Sequence, residues 1–205
     1  MARHKQSERE EIRRETRQAL LDSAAVEIAR HGYDNANVNT LSQSAGFAKG
    51  TVYNYFPGKE ALLTALIEET ASLHRTFILE RIQTEKGVHE RLVAFFRAGF
   101  DFVTQYLPRA QAVINILYGP HQHFKETLYE AYQPIFAFVG QEIIAPGIQS
   151  GVFRPVSPGY TTTLLMTLYL GTCSQVDERG KPMLDPEVVA DFAWNALKQE
   201  YAVRR

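Results

Sequence analysis

Residues 38–59 read VNTLSQSAGFAKGTVYNYFPGK, and this stretch decides the fold. It spells a short helix, a tight turn, a second short helix and an abrupt stop. Leu41 and Ala45 are spaced to face inward from the first helix. Gly46 ends that helix, since glycine takes the left-handed C′ conformation without a steric penalty. Phe47 begins the turn, and Val52 packs back against Leu41 and Ala45. Lys49, Gly50, Thr51, Tyr53 and Asn54 are left outward. An ordinary solvated helix face mixes acids with bases, whereas this one carries a lysine, a glycine, hydroxyls and an amide with no acid. That inventory suits phosphate oxygens and groove edges. Two helices joined by a short turn, the second presented outward, form a helix-turn-helix.

The run AGFAKGTVYNYFPGKEALL, Ala45 to Leu63, resembles the signature of TetR-type transcriptional regulators, AG-V-S-x-G-T-x-Y-x-Y-F-x-x-K-E-x-L. The match is dense there and looser back to Leu20. Asn39 and Thr40 stand where the family often carries charge, and Ala36 lacks its usual hydroxyl. The resemblance implies an all-α chain: an N-terminal three-helix DNA-binding domain, residues 1–58, and a C-terminal helical ligand-binding and dimerisation domain, residues 59–205. It implies a repressor released from a near-palindromic double-stranded operator by a small hydrophobic or aromatic ligand. Lys49 and Thr51 are then candidates for the groove or backbone, with Gly50 permitting close approach. Tyr53 and Tyr55 offer hydroxyls to phosphates, Asn54 an amide to a base or phosphate. Thr40 and Lys59 stand at helix starts, where backbone amides favour phosphate. Phe56 is assigned to packing. An alternative reading keeps the helices but loses the DNA contact, giving a ligand-binding or scaffolding protein.

The chain has 205 residues, 45% of them hydrophobic, and a formal net charge of −1. It is therefore no polybasic nucleic-acid binder, and any DNA affinity must come from the few cations that reach phosphates. No acid lies between Asp34 and Glu60. The single cysteine, Cys173, excludes an internal disulfide and reads as a buried thiol of a reducing compartment. No apolar run is long enough to span a membrane and no signal-peptide core opens the chain, so a cytoplasmic protein is expected. G-x-S-x-G, H-E-x-x-H and G-x-x-x-x-G-K-[ST] are absent, which argues against an enzyme. No cofactor motif is found. His121-x-His123 does not make a metal site, because residues two apart on a helix point to different faces.

Outward from the central stretch, Ser7 and Glu10 form a capping box that predicts a helix to about Arg30, after a basic arm Met1–Gln6. Leu20, Ala24 and Ile28 make its inner stripe and Gly32 ends it. Asn37 caps the next helix. Beyond Pro57-Gly58 a long helix is expected over 59–83, a natural lever between the two domains. Helices follow over 88–106, 108–118 and 121–149, the last kinked at Pro134. GVFRPVSPG (151–159) is a loop, 160–174 a helix in preference to a strand, and 186–201 the last helix. The helices 160–174 and 186–201 are apolar enough to form a homodimer interface.

The segment 88–169 carries dense aromatic surface, as small-molecule sites between helices do. Phe96, Phe100, Val103, Tyr106, Phe124, Tyr132, Phe136, Met166 and Tyr169 are the candidate apolar lining. Asn115 and His121 are the candidate polar contacts.

Overall fold

A computed structural model describes residues 2–199, with side chains from Gln6 onward. Its regular structure is helical, as expected. The first helices are α1 (Ala2–Asn35), α2 (Val38–Ser44), α3 (Lys49–Tyr55) and α4 (Lys59–Ile82). There follow α5 (Val88–Gln105), α6 (Leu107–Tyr118), α7 (Gln122–Val139), α8 (Ala145–Gln149), α9 (Pro158–Cys173) and α10 (Pro186–Leu197). A π-helical turn, Gly140–Ile144, separates α7 from α8. Among the described residues β pairing is limited to two isolated bridges, Phe153 with Lys198 and Val176 with Pro182.

The chain forms two compact units. The first takes in the chain up to Thr70 together with Pro108–Leu128; the second takes Ala71–Leu107 and the chain from Tyr129 onward. In the first, Leu20, Leu21, Ala24, Ala25 and Ile28 of α1 are buried, as are Leu41, Val52, Phe56, Leu63 and Leu66. Helix α1 packs on α2 and α2 on α3. In the second, α5 is the central helix and contacts α9, α10 and the π turn. Phe95, Phe96, Phe102, Ile143, Met166 and Tyr169 are buried there. Each such side chain contributes on the order of 1.5–3 kcal/mol by leaving water.

Three element limits differ from expectation. Helix α1 begins at Ala2, so Ser7 lies inside it and does not cap it. The segment before Ser7 contains good helix formers, and Gln6 donates to Glu10 one turn on, at 3.3 Å. Of the expected basic arm, Met1 lies outside the described residues. The break at Gly32 is as expected: its φ of 72° and ψ of 169° interrupt the helical backbone. The last helix stops at Leu197, and the expected limit, Tyr201, lies outside the described residues. Residues 198 and 199 turn extended because the backbone there pairs elsewhere. Arg154 N–H donates to Leu197 O at 2.9 Å, and Gln199 N–H donates to Val152 O at 2.8 Å. Pro134 sits inside α7, and the change of helical register comes at the π turn rather than at the proline. Gly140 opens that turn, and Thr162 Oγ1 of α9 stands against it where a side chain would otherwise project.

Candidate functional site

The turn between α2 and α3 is fixed at both ends by specific bonds. Asn37 is the N-cap of α2, its side-chain oxygen accepting from Asn39 N–H at 2.8 Å. The Asn37 N–H donates to Glu27 Oε1 of α1 at 3.0 Å. Glu27 is buried, so α1 sets where α2 begins. At the other end Gly46 has a φ of 79°. Gly46 N–H donates to Gln43 O at 2.9 Å and Phe47 N–H to Ser42 O at 2.8 Å. This is the paired-bond helix end that a left-handed glycine makes possible.

Helix α3 is held from beneath by Val52 and Phe56, both buried. Its opposite face carries Lys49, Gly50, Tyr53 and Asn54, all exposed, with Tyr53 at 47%. Thr51 and Tyr55 are half-buried at the edges of that face. Two arginines of α1 stack on rings at the C-terminal end of α3: Arg13 over Tyr55 at 5.8 Å and Arg17 over Phe56 at 5.3 Å. Arg17 also pairs with Glu69 of α4. Gly50 has open space where a side chain would project: no described residue comes within 4 Å of that position. Thr40 is exposed in the first turn of α2.

Lys59 opens α4 half-buried. Its Nζ donates to Asp34 O at 2.9 Å and lies 4.8 Å from the Tyr33 ring centroid. Part of its hydrogen-bonding capacity is thus used within the head. Tyr33 in turn meets His121 and Phe124 edge-on, at 5.1 and 5.0 Å between centroids. His121 Nε2 stands 3.3 Å from Asp34 Oδ2. Burial chiefly, then the negative charges of Glu60 and Asp34, raise the Tyr33 hydroxyl above its usual pKa. Arg109 of α6 is buried in the same unit. It donates through Nε to Asp22 Oδ1 of α1 at 2.8 Å and through Nη1 to Thr70 Oγ1 of α4 at 3.4 Å.

The candidate ligand residues divide between the two units. Asn115, His121 and Phe124 belong to the first, where Asn115 donates to Ala29 O at 3.4 Å. Phe96, Phe100, Val103, Tyr106, Tyr132, Phe136, Met166 and Tyr169 belong to the second. Tyr132 and Tyr169 meet there around a residue that the sequence does not point to, His74 of α4. The His74 ring stacks on Phe102 at 4.0 Å, meets Tyr132 edge-on at 5.9 Å and lies 5.8 Å from Tyr169. Its Nε2 is 2.6 Å from the Tyr169 hydroxyl, and its Nδ1 is buried with no hydrogen-bond partner among the described residues. Burial pushes its pKa down to about 3, so the ring is neutral at ordinary pH. Burial likewise pushes the Cys173 thiol up to about 12, the inert thiol that an apolar helix produces. No sequence signal marks His74, because a lone histidine on a long helix forms no motif. Its role comes from partners far along the chain.

On α9 and α10, Tyr160, Leu164, Val188 and Phe192 are exposed, at 79%, 70%, 63% and 67%. No helix among the described residues is long and apolar enough to cross a membrane.

Residues 20–66 match the family model for bacterial regulatory proteins of the tetR family. An uncharacterized HTH-type transcriptional regulator of Bacillus subtilis (strain 168), YhgD, is 23% identical over 179 residues, 83% of this chain and 88% of the relative. The solved structure of the fatty acid degradation regulator FadR from Bacillus halodurans superposes with a TM-score of 0.79 at 19% identity, covering 93% of this chain and 97% of the other. FadR from Bacillus subtilis, solved in complex with stearoyl-CoA, gives 0.75 at 20% identity over 87% and 95%. At these identities the structural likeness is one of fold.

Proposed function

The chain belongs to the TetR family of bacterial regulatory proteins through its head, residues 20–66, and from that membership we propose a homodimeric, cytoplasmic repressor rather than an enzyme. Residues 1–58 read DNA and residues 59–205 hold the effector and the dimer contact. The observation that carries this reading is the outer face of α3. Lys49, Gly50, Tyr53 and Asn54 are exposed and free of acids, while Val52 and Phe56 anchor the helix from below. Lys49, Thr51 and Asn54 meet the groove and its backbone, with Gly50 allowing close approach. Tyr53 and Tyr55 reach phosphates through their hydroxyls, and Thr40 and Lys59 support the flanking backbone.

A single helix of this size reads too few base pairs for strong specificity, so two heads must act on half-sites about 34–36 Å apart or a multiple of that. The apolar residues exposed on α9 and α10 support a two-fold interface through these helices. A small ligand changes DNA affinity only by its differential affinity for the two arrangements of the heads. The structural likeness to a regulator solved with stearoyl-CoA, together with the aromatic core of the second unit, supports an apolar acyl ligand.

Genomic fragments captured by the purified protein and sequenced test the reading. The expected result is enrichment of a near-palindrome, lost on adding an acyl-CoA. No enriched sequence across several salt concentrations would favour a helical ligand-binding protein that does not read DNA.

A further inference from the structure

The second unit buries a polar pair that its own packing does not satisfy. Tyr169 reaches His74 only because α5 carries glycine at position 99. A side chain there would collide with the Cε2, Cζ and hydroxyl atoms of Tyr169. The Tyr169 ring also stacks on Phe95 at 4.5 Å. The ring is thus guided to one place, and its hydroxyl sits 2.6 Å from His74 Nε2. A phenol is the better donor of the two and an imidazole nitrogen the better acceptor. Tyr169 therefore donates to Nε2, and the imidazole proton rests on Nδ1. That N–H is buried and, among the described residues, has no partner.

An orphaned buried donor is destabilising and uncommon in native structures. An internal water requires two to four polar partners of its own. Among the described residues, the aromatic rings packed on the imidazole are those of Phe102, Tyr132 and Tyr169. The Tyr169 hydroxyl already serves Nε2, so water is poorly held. A ligand that brings one acceptor oxygen on an otherwise apolar body satisfies the donor and suits the rings. The neutral state of His74, which burial enforces, disfavours a free carboxylate as that acceptor, since no described residue beside the ring supplies a matching positive charge.

Building on the acyl-ligand reading above, we infer that His74 Nδ1–H is the anchor for the neutral carbonyl oxygen of an acyl ester or thioester, whose chain lies among the aromatic side chains of α4, α5 and α9. His74 then selects for the ester carbonyl, while the rings accept chains without regard to their detailed chemistry.

Isothermal titration with two probes tests this: stearoyl-CoA, and S-octadecyl-CoA, the thioether that replaces the carbonyl by a methylene. The wild-type protein should bind the thioester about tenfold more tightly, the difference made by one satisfied neutral hydrogen bond. His74→Leu should bind both probes with affinities within about twofold of each other, since the donor is gone while apolar volume is kept. Equal affinity of wild type for the two probes overturns the anchor and leaves the acyl ligand standing. A preference retained by His74→Leu does the same. Binding of neither probe by wild type overturns both readings. Should His74→Leu fail to fold, the wild-type comparison decides alone.

Discussion

Replacing Lys49 by alanine should change the salt dependence of operator binding far more than it changes the fold. Lys49 is exposed at the start of α3, and among the described residues it has no ion-pair partner. Its loss should shift stability by less than about 0.5 kcal/mol, as for surface substitutions in general. If it neutralises one phosphate per head, each head contributes about −0.9 to the slope of log K against log salt, and a dimer about −1.8. Between 50 and 200 mM salt, a fourfold change, a slope of about −1.8 accounts for about a twelvefold loss of affinity. Lys49→Ala should therefore bind more weakly at 50 mM and lose about twelvefold less than wild type on going to 200 mM. Gel shift or fluorescence anisotropy at five or six salt concentrations, on the operator recovered by genomic capture, gives both slopes. A melting temperature equal to wild type confirms that the head is intact. Parallel lines for the two proteins would refute the assignment, because a lysine that touches no phosphate releases no counterion.

Gly46→Ala forces an L-residue into the left-handed region that Gly46 occupies, costing about 1–2 kcal/mol. At about 2–4 °C per kcal/mol for a chain of this size, a visible fall in melting temperature is expected, with weaker operator binding. An unchanged melt would speak against the left-handed turn. Phe192→Asp places a charge on an exposed apolar face and, by two-fold symmetry, does so twice in one interface. Light scattering should then show a monomer at micromolar concentration, and a persistent dimer would move the interface off α10. His74 has its folded pKa lowered from 6.5 to about 3, so the unfolded chain binds the proton first as pH falls. Stability contributed by the neutral ring is full above about pH 6.5 and is lost progressively towards pH 3, by at most about 1.4 kcal/mol per pH unit. Melting curves from pH 7 to 4.5 should fall less steeply for His74→Leu than for wild type. Equal slopes would mean that His74 is open to protonation in the folded protein.

The head was legible in the sequence because its signals are local. Asn37, Gly46 and Pro57-Gly58 each act on the backbone within a turn of themselves. The spacing of Leu41, Val52 and Phe56 tells the buried side of the helices from the exposed one. The long helices were legible for the same reason, since periodicity fixed 59–83 against the observed Lys59–Ile82. What could not be read depends on partners distant in the chain. The end of α10 is set by pairing with residues 152–154, and the start of α2 by Glu27. His74 gains its meaning from Phe102, Tyr132 and Tyr169. The density of aromatic residues pointed to a ligand core, but it did not separate Asn115, His121 and Phe124, which the fold assigns to the other unit.

Arg109 bears on how this regulator can be re-engineered. One guanidinium from α6 holds Asp22 and approaches Thr70, and Asn115, also on α6, bonds to the backbone of α1. A chimera spliced at residue 58, the obvious seam for transplanting a DNA-reading head onto a different sensor, would part Asp22 from Arg109 and Ala29 from Asn115. A graft that brings Pro108–Leu128 along with the N-terminal segment keeps the donor's own fastening, and sensor swaps within this fold should succeed more often when that second piece travels too.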